Sequence, residues 1–224
     1  MAFRARSQHR TPSRKTGRVI AGDDSGMRLT RAVEEAERHT GCEVIVVGFA
    51  CADGYLDIAF RNAFVVALVA LGFVLMVPVD IHEVLVFPIV AGASLAAFWA
   101  SCLPAVARLT STRERREAAI RTAMAEAFLK HGVSRTRDRV GVLIAFFELE
   151  RDAAVLFDTG LQARIPGDVR ASIAETVRTG CAATDIETRA ACIAAIGARL
   201  GAWVPRGSED VDELPNAPKT GGAR

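Results

Sequence analysis

Two long apolar runs dominate the pattern of the chain, residues 63–79 and 84–107, and neither contains a charged residue. Only Asp80-Ile81-His82-Glu83 separates them. A helix rises about 1.5 Å per residue and a bilayer's hydrocarbon core is about 30 Å thick. The first run is slightly short for that span. Phe60, Arg61 and Asn62 complete it, because arginine can carry its head group back to the interface. The second run is long enough to span with some tilt. Both are apolar on all sides, so neither reads as an amphipathic surface helix. A buried hairpin in a water-soluble core would need a protein shell that the remaining chain is too small to supply. The pattern therefore predicts a transmembrane helical hairpin over residues 60–107, with the polar island as its tip. Pro78 and Pro88 flank that tip. Gly72, Gly92, Ala93 and Ser94 are small enough for close helix approach.

The flanking segments alternate between periods. Before the hairpin, "DDSGMRLTRAVEEAERHTG" places Leu29, Val33, Ala36 and Thr40 on one helical face, with Asp24 or Ser25 as cap and Gly41 as stop. "EVIVVGFA", residues 43–50, reads as a strand buried on both faces. After the hairpin, "RERREAAIRTAMAEAFLKHG" is helical. "VGVLIAFFEL" and "AAVLFD" are strands joined by the polar Glu150-Arg151-Asp152. Two further helices follow, "PGDVRASIAETVRTG" and "DIETRAACIAAIGARLGAWV". The tail from Pro205 is rich in proline, glycine and acids and is expected to be loosely ordered.

The predicted fold class is thus α/β: a mixed-sheet sandwich with helices, interrupted by the membrane hairpin. Residues 43–50 are expected to pair parallel with residues 141–149 because a long crossover separates them. The domain plan is a disordered basic arm (1–22), a split α/β domain (23–59 and 108–204), the inserted hairpin (60–107) and a flexible tail (205–224).

Charge sets the orientation. The tip carries acids and no Lys or Arg, whereas Arg61, Arg108, Arg113, Arg115 and Arg116 lie at the other end of the hairpin. Basic flanks stay cytoplasmic, so both termini are expected there. The first 22 residues add six basic residues and no acid, without the apolar stretch of a secretory signal. They read as an arm attracted to anionic lipid. The whole chain carries only +2, which gives no nucleic-acid footprint. The implied partners are the lipid bilayer and a membrane protein; oligomeric state is not legible. Five cysteines without Cys-x-x-Cys spacing read as free thiols in a reducing compartment.

At this level the residues resemble a family. "HTGCEVIVV" resembles the Thr-x-x-Glu-Ile-Val-Val start of the TPM domain, found in thylakoid proteins linked to photosystem II repair and in many bacterial membrane proteins. "TRDRVGVLIAFFELERDAAVLFDTGL" is similar to its second signature, through Thr136, Gly141, Val142, Leu143, Ile144, Glu150, Arg151, Val155, Asp158 and Gly160. "VPRGSEDVDELPNAP" looks like the closing segment of the branch with a membrane hairpin. Val204, Asp212 and Val169 stand where that family usually has an aromatic residue, an asparagine and a tryptophan. The resemblance implies an α/β sandwich, acid-phosphatase activity and divalent-metal binding.

The residues themselves supply less chemistry. There is no Cys-x5-Arg loop, Asp-x-Asp motif, Gly-x-Ser-x-Gly elbow or Walker loop. Glu35 and His39 share a helix face, but two ligands make no metal site, and a solvated pair is the simpler reading. Glu43 opens the first strand, Asp138 precedes the second and Asp158 ends the third. If the sheet gathers these ends, hard oxygen ligands could hold Ca²⁺ or Mg²⁺, with Asp53 and Asp57 as further ligands. The plainer alternative pairs Glu43 with an arginine such as Arg139 and gives Asp158 to the turn into Thr159-Gly160. Two functions follow: a membrane-tethered scaffold or regulator, favoured because no full catalytic set can be assembled, and a weak metal-dependent phosphatase.

Overall fold

The computed structural model describes residues 23–76, 82–136, 138–182, 185–207 and 216–221. The basic arm, residues 77–81 with Pro78, Asp80 and Ile81 of the hairpin tip, and part of the tail with Asp212 lie outside the described residues. Helix α1 (Asp23–His39) leads into strand β1 (Val44–Phe49). The hairpin follows as α2 (Leu56–Met76) and α3 (Glu83–Ser101), then a short helix α4 (Pro104–Thr110) and α5 (Arg113–Lys130). Strands β2 (Val142–Phe147) and β3 (Asp152–Phe157) form a β-hairpin. Helices α6 (Thr159–Arg164), α7 (Gly167–Thr176) and α8 (Ile186–Gly201) complete the domain, and β4 (Lys219–Gly221) returns to the sheet.

The sheet order is β3-β2-β1-β4. β1 pairs parallel with β2 in the register Val44 to Val142 through Phe49 to Phe147, as its long crossover requires. β2 and β3 are antiparallel. Every residue of β1 and β2 is buried, because helices cover both faces. On one face Val44, Val46, Val142, Ile144 and Phe146 pack with Leu29, Val33 and Ala36 of α1 and Ile193, Ile196 and Leu200 of α8. On the other, Ile45, Val47, Phe49, Leu143, Ala145 and Phe147 meet Ile120, Ala123, Met124 and Ala127 of α5. The period-2 strand pattern thus feeds two separate cores.

The close approach of α1 and α8 depends on glycine. A Cβ on Gly197 would lie 2.4 Å from Cα and Cβ of Ala36. Arg189 of α8 is buried on the same side. It is paired with Glu148 at 2.7 Å and its guanidinium lies 4.8 Å from the Phe146 ring centre.

Helices α2 and α3 are long and apolar enough to cross a membrane. They contribute little to either core: 11% and 6% of their apolar windows are buried. Phe64, Val69, Leu75, Met76, Val84 and Phe87 are all more than half exposed. Where the hairpin meets the domain, Asn62 donates to Ser101 Oγ at 3.1 Å and the Phe60 and Phe98 rings stand 5.1 Å apart.

Three details differ from the sequence reading. Pro88 lies inside α3 rather than at its edge. As the sixth residue of α3 it lacks the N–H that would bond to the Val84 carbonyl, a loss that apolar helices of this kind tolerate through local adjustment of the backbone. The tail, expected to be loose, supplies β4, which pairs parallel with Val47, Gly48 and Phe49. Gly221 permits that pairing, since a Cβ there would meet the Phe49 ring at 2.0 Å. The run 84–107, expected as one span, is broken: α3 ends at Ser101, and Pro104, well suited to a first helical position, opens the short helix α4.

Candidate functional site

The carboxylates singled out by sequence lie at one end of the sheet. Val142 N–H donates to Glu43 O at 2.8 Å, and Asp158 N–H donates to Gly141 O at 2.9 Å. Glu43, Gly141 and Asp158 therefore stand in a row across three strands. Gly141 has no side chain because Val133 occupies its space: a Cβ there would lie 2.5 Å from Val133 Cγ1 and 2.6 Å from Val133 O. An apolar residue is thus seated on the middle of the row. Asp158 is buried and caps α6, its Oδ1 accepting from Thr159 N at 2.6 Å and Thr159 Oγ1 at 3.2 Å. That matches the turn role weighed above. Asp138 is exposed. Its backbone carbonyl, not its carboxylate, packs inward, filling the space where a Gly160 Cβ would sit. Among the described residues no group of three or more His, Cys, Asp or Glu side chains is close enough to hold a metal ion. The sheet brings Glu43, Asp138 and Asp158 to one edge without gathering them into such a group.

Asp53 and Asp57 have a different partner. Arg115, in the first turn of α5, reaches Asp53 Oδ2 at 2.6 Å and Asp57 Oδ2 at 3.3 Å. His39 is exposed and Glu35 half-buried; Glu35 pairs with Arg38 at 2.8 Å, and His39 Nδ1 lies 2.8 Å from the backbone oxygen of Glu35. They form a solvated helix surface.

A second polar cluster lies at the opposite end of the sheet, where β1 passes into α2. The Tyr55 hydroxyl donates to Glu150 Oε1 at 2.6 Å, and Ala52 N–H donates to the same oxygen at 2.9 Å. Glu150 is only 8% exposed, and its Oε2 has no hydrogen-bond partner among the described residues. Tyr55 is buried and holds φ +49°, a conformation uncommon for a bulky residue. The Arg115 guanidinium lies 5.9 Å from its ring centre. Burial, the bond to Glu150 and the Glu150 charge together push the Tyr55 hydroxyl far above its ordinary pKa. Burial, then the charges of Glu150 and Asp53, raise the Cys51 thiol as well. Cys51 is therefore held as thiol rather than thiolate, the reverse of a nucleophile's environment.

Two cavities open beside this cluster. One, of about 250 Å³, lies between the loop and the start of the hairpin, with Cys51, Tyr55, Ala59, Ser101, Cys102 and Leu149 in its wall. The other, of about 270 Å³, lies between α5 and the β4 edge and is lined by Asp53, Arg115, Glu126, Lys130 and His131 among others. His131 has its pKa lowered by burial and then by Lys219 and Lys130. The arrangement offers no activated nucleophile. It does tie three elements together: the β2–β3 turn through Glu150, the start of α2 through Tyr55 and Asp57, and the start of α5 through Arg115. Sequence reasoning named Glu150 as a turn residue between two strands and by resemblance, and missed Tyr55. Its one early signal was a lone tyrosine in a chain with 6% aromatic residues.

No family model matches the chain, and no curated protein matches it. Among solved structures, the NMR structure of BA42 protein from the psychrophilic bacterium Bizionia argentinensis sp. nov. is similar, with a TM-score of 0.54 over 89% of this chain and 94% of that one. The two sequences are 13% identical, so the likeness concerns the fold.

Proposed function

We propose that this is an integral membrane protein whose TPM-like α/β domain serves as a tethered scaffold or regulator for a membrane partner on the cytoplasmic side. The observation that carries the reading is the contrast between two closed cores and one open hairpin. The sheet and its helices bury their own apolar faces, while α2 and α3 leave Phe73, Met76, Val84 and Phe87 between 68% and 87% exposed. Such a surface is stable in lipid and a liability in water. Orientation rests on the basic residues at the domain end, Arg61, Arg108 and Arg116 among them, against a tip with none. The clamp of Tyr55, Glu150, Asp57 and Arg115 supports a mechanical role, because it joins the hairpin to the sheet.

The test is cysteine labelling in intact cells with a membrane-impermeant maleimide. A His82→Cys variant should react at the tip. The native Cys102, exposed at the domain end, should react only after lysis. The reverse pattern would overturn the orientation, and release by alkaline carbonate would overturn the membrane anchor. For the scaffold role, the reconstituted chain should leave a generic phosphate ester unhydrolysed with Mg²⁺ or Ca²⁺. Metal-dependent turnover lost in Asp158→Ala would overturn that role in favour of a phosphatase.

A further inference from the structure

We propose that the domain end of the hairpin binds the phosphate of an anionic phospholipid headgroup through Arg61, Arg108 and Arg116. This site rests on the membrane reading above. Arg61, on α2, donates from Nη2 to Thr110 O at 3.0 Å. Arg116, on α5, donates from Nη1 to Arg108 O at 2.8 Å and approaches Ser111 O and Oγ at 3.4 and 3.5 Å. Two guanidinium groups from different helices therefore converge on the C-terminal end of α4, and Arg108 belongs to that same turn. The groups that hold them are neutral. Among the described residues no carboxylate lies within ion-pair range of any of the three, whereas their neighbours Arg113 and Arg115 are paired with Glu117, Asp53 and Asp57.

Helix-end carbonyls carry only partial negative charge, enough to orient a guanidinium and too little to neutralise three. Each guanidinium has five donors, and these contacts engage one nitrogen each of Arg61 and Arg116. The remaining donors suit a phosphate, which arginine grips through two parallel hydrogen bonds.

A second observation fixes the level. Trp99, in the last turn of α3, is 65% exposed, and Leu109, next to Arg108, is 86% exposed. Exposed tryptophan marks the headgroup region of a bilayer. An exposed leucine beside an unpaired arginine likewise suits the boundary between acyl chains and phosphates. The site is thus built from one helix of the span, one interfacial helix and one helix of the domain, so it also couples lipid composition to the domain.

The full chain should be reconstituted in nanodiscs of phosphatidylcholine alone and of phosphatidylcholine mixed with phosphatidylglycerol, and the lipid retained after detergent extraction counted by native mass spectrometry. Phosphatidylglycerol should be retained in preference. Arg108→Gln leaves the backbone contacts of the other two side chains intact and should lower that preference roughly fivefold, the effect of one basic residue near an anionic surface. The triple variant Arg61→Gln, Arg108→Gln, Arg116→Gln should show none, while Arg31→Gln on α1 should match the wild type. A preference that survives in the triple variant, or is missing from the wild type, overturns the site. Stripping of the lipid by inorganic phosphate would also overturn it, by showing that free phosphate is the ligand. A chain that enters both discs without preference sinks this site alone, whereas one that enters neither sinks the membrane reading too.

Discussion

The hydroxyl of Tyr55 donates to the carboxylate of Glu150 at 2.6 Å across 95 residues of sequence. The bond closes the junction at which the chain leaves the sheet for the hairpin. It adds a second donor to Glu150 Oε1, which otherwise accepts only from the Ala52 backbone amide, while Oε2 has no hydrogen-bond partner among the described residues.

Removing that hydroxyl should be costly. Tyr55→Phe leaves Glu150 buried with one donor fewer, and a hydrogen bond to a charged group is worth about 1.5–3 kcal/mol. Thermal unfolding in detergent should show a loss of that order. Adding Glu150→Gln should cost less than the sum of the two single changes, since the partner is already gone. Strict additivity would mean that the two side chains do not interact in solution.

The buried ion pair between Arg189 and Glu148 leads to a second expectation. The Arg189 side chain is 6% exposed and Glu148 is 27% exposed. Arg189→Ala removes the pair and the contact with the Phe146 ring, and should destabilise the domain by about 3–5 kcal/mol. Glu148→Gln, at the more exposed partner, should cost less. Equal midpoints for Arg189→Ala and wild type in urea would rule out this role.

Gly197→Ala tests the contact between α1 and α8. The added methyl group would overlap Ala36, whose backbone oxygen would lie 2.7 Å away. The helices must separate, and overpacking of this kind costs about 1–3 kcal/mol. The pair Gly197→Ala with Ala36→Gly should recover part of the loss. A stabilised Gly197→Ala protein, as helix propensity alone would give, would show that the helices are not so close.

His131 predicts a pH dependence. Its folded pKa lies below the ordinary histidine value because of burial, then Lys219 and Lys130. Between the folded value and about 6.5, the unfolded chain binds a proton that the folded one refuses. Stability should therefore fall as pH drops through that window, and level off below the folded value. His131→Gln should flatten this part of the profile. Chemical shifts of the ring should place its titration below the ordinary histidine value; a titration at or above that value would refute the assignment.

The sequence by itself determined the parts of this protein that follow from local pattern. Uncharged runs on either side of Asp80–Glu83 specify two apolar helices long enough to cross a membrane, because length and hydropathy sum residue by residue. The unbroken apolar stretches Val44–Phe49 and Val142–Phe147 likewise specify strands covered on both sides, and the length of chain between them makes their pairing parallel. Polar chemistry did not follow that way. Which charge meets which depends on where loops land once the sheet is registered. Glu43 and Asp158 share an end of the sheet, yet Val133 lies over the glycine between them. Asp53 and Asp57 look like ligands in sequence, yet the crossover through the hairpin delivers Arg115 to both. The tail pattern at Lys219–Gly221 is too short to read as a strand, and only the open edge of β1 makes it one. Hydrophobic burial is a property of segments, whereas a hydrogen bond or ion pair requires two particular atoms to meet, and only the tertiary structure decides that.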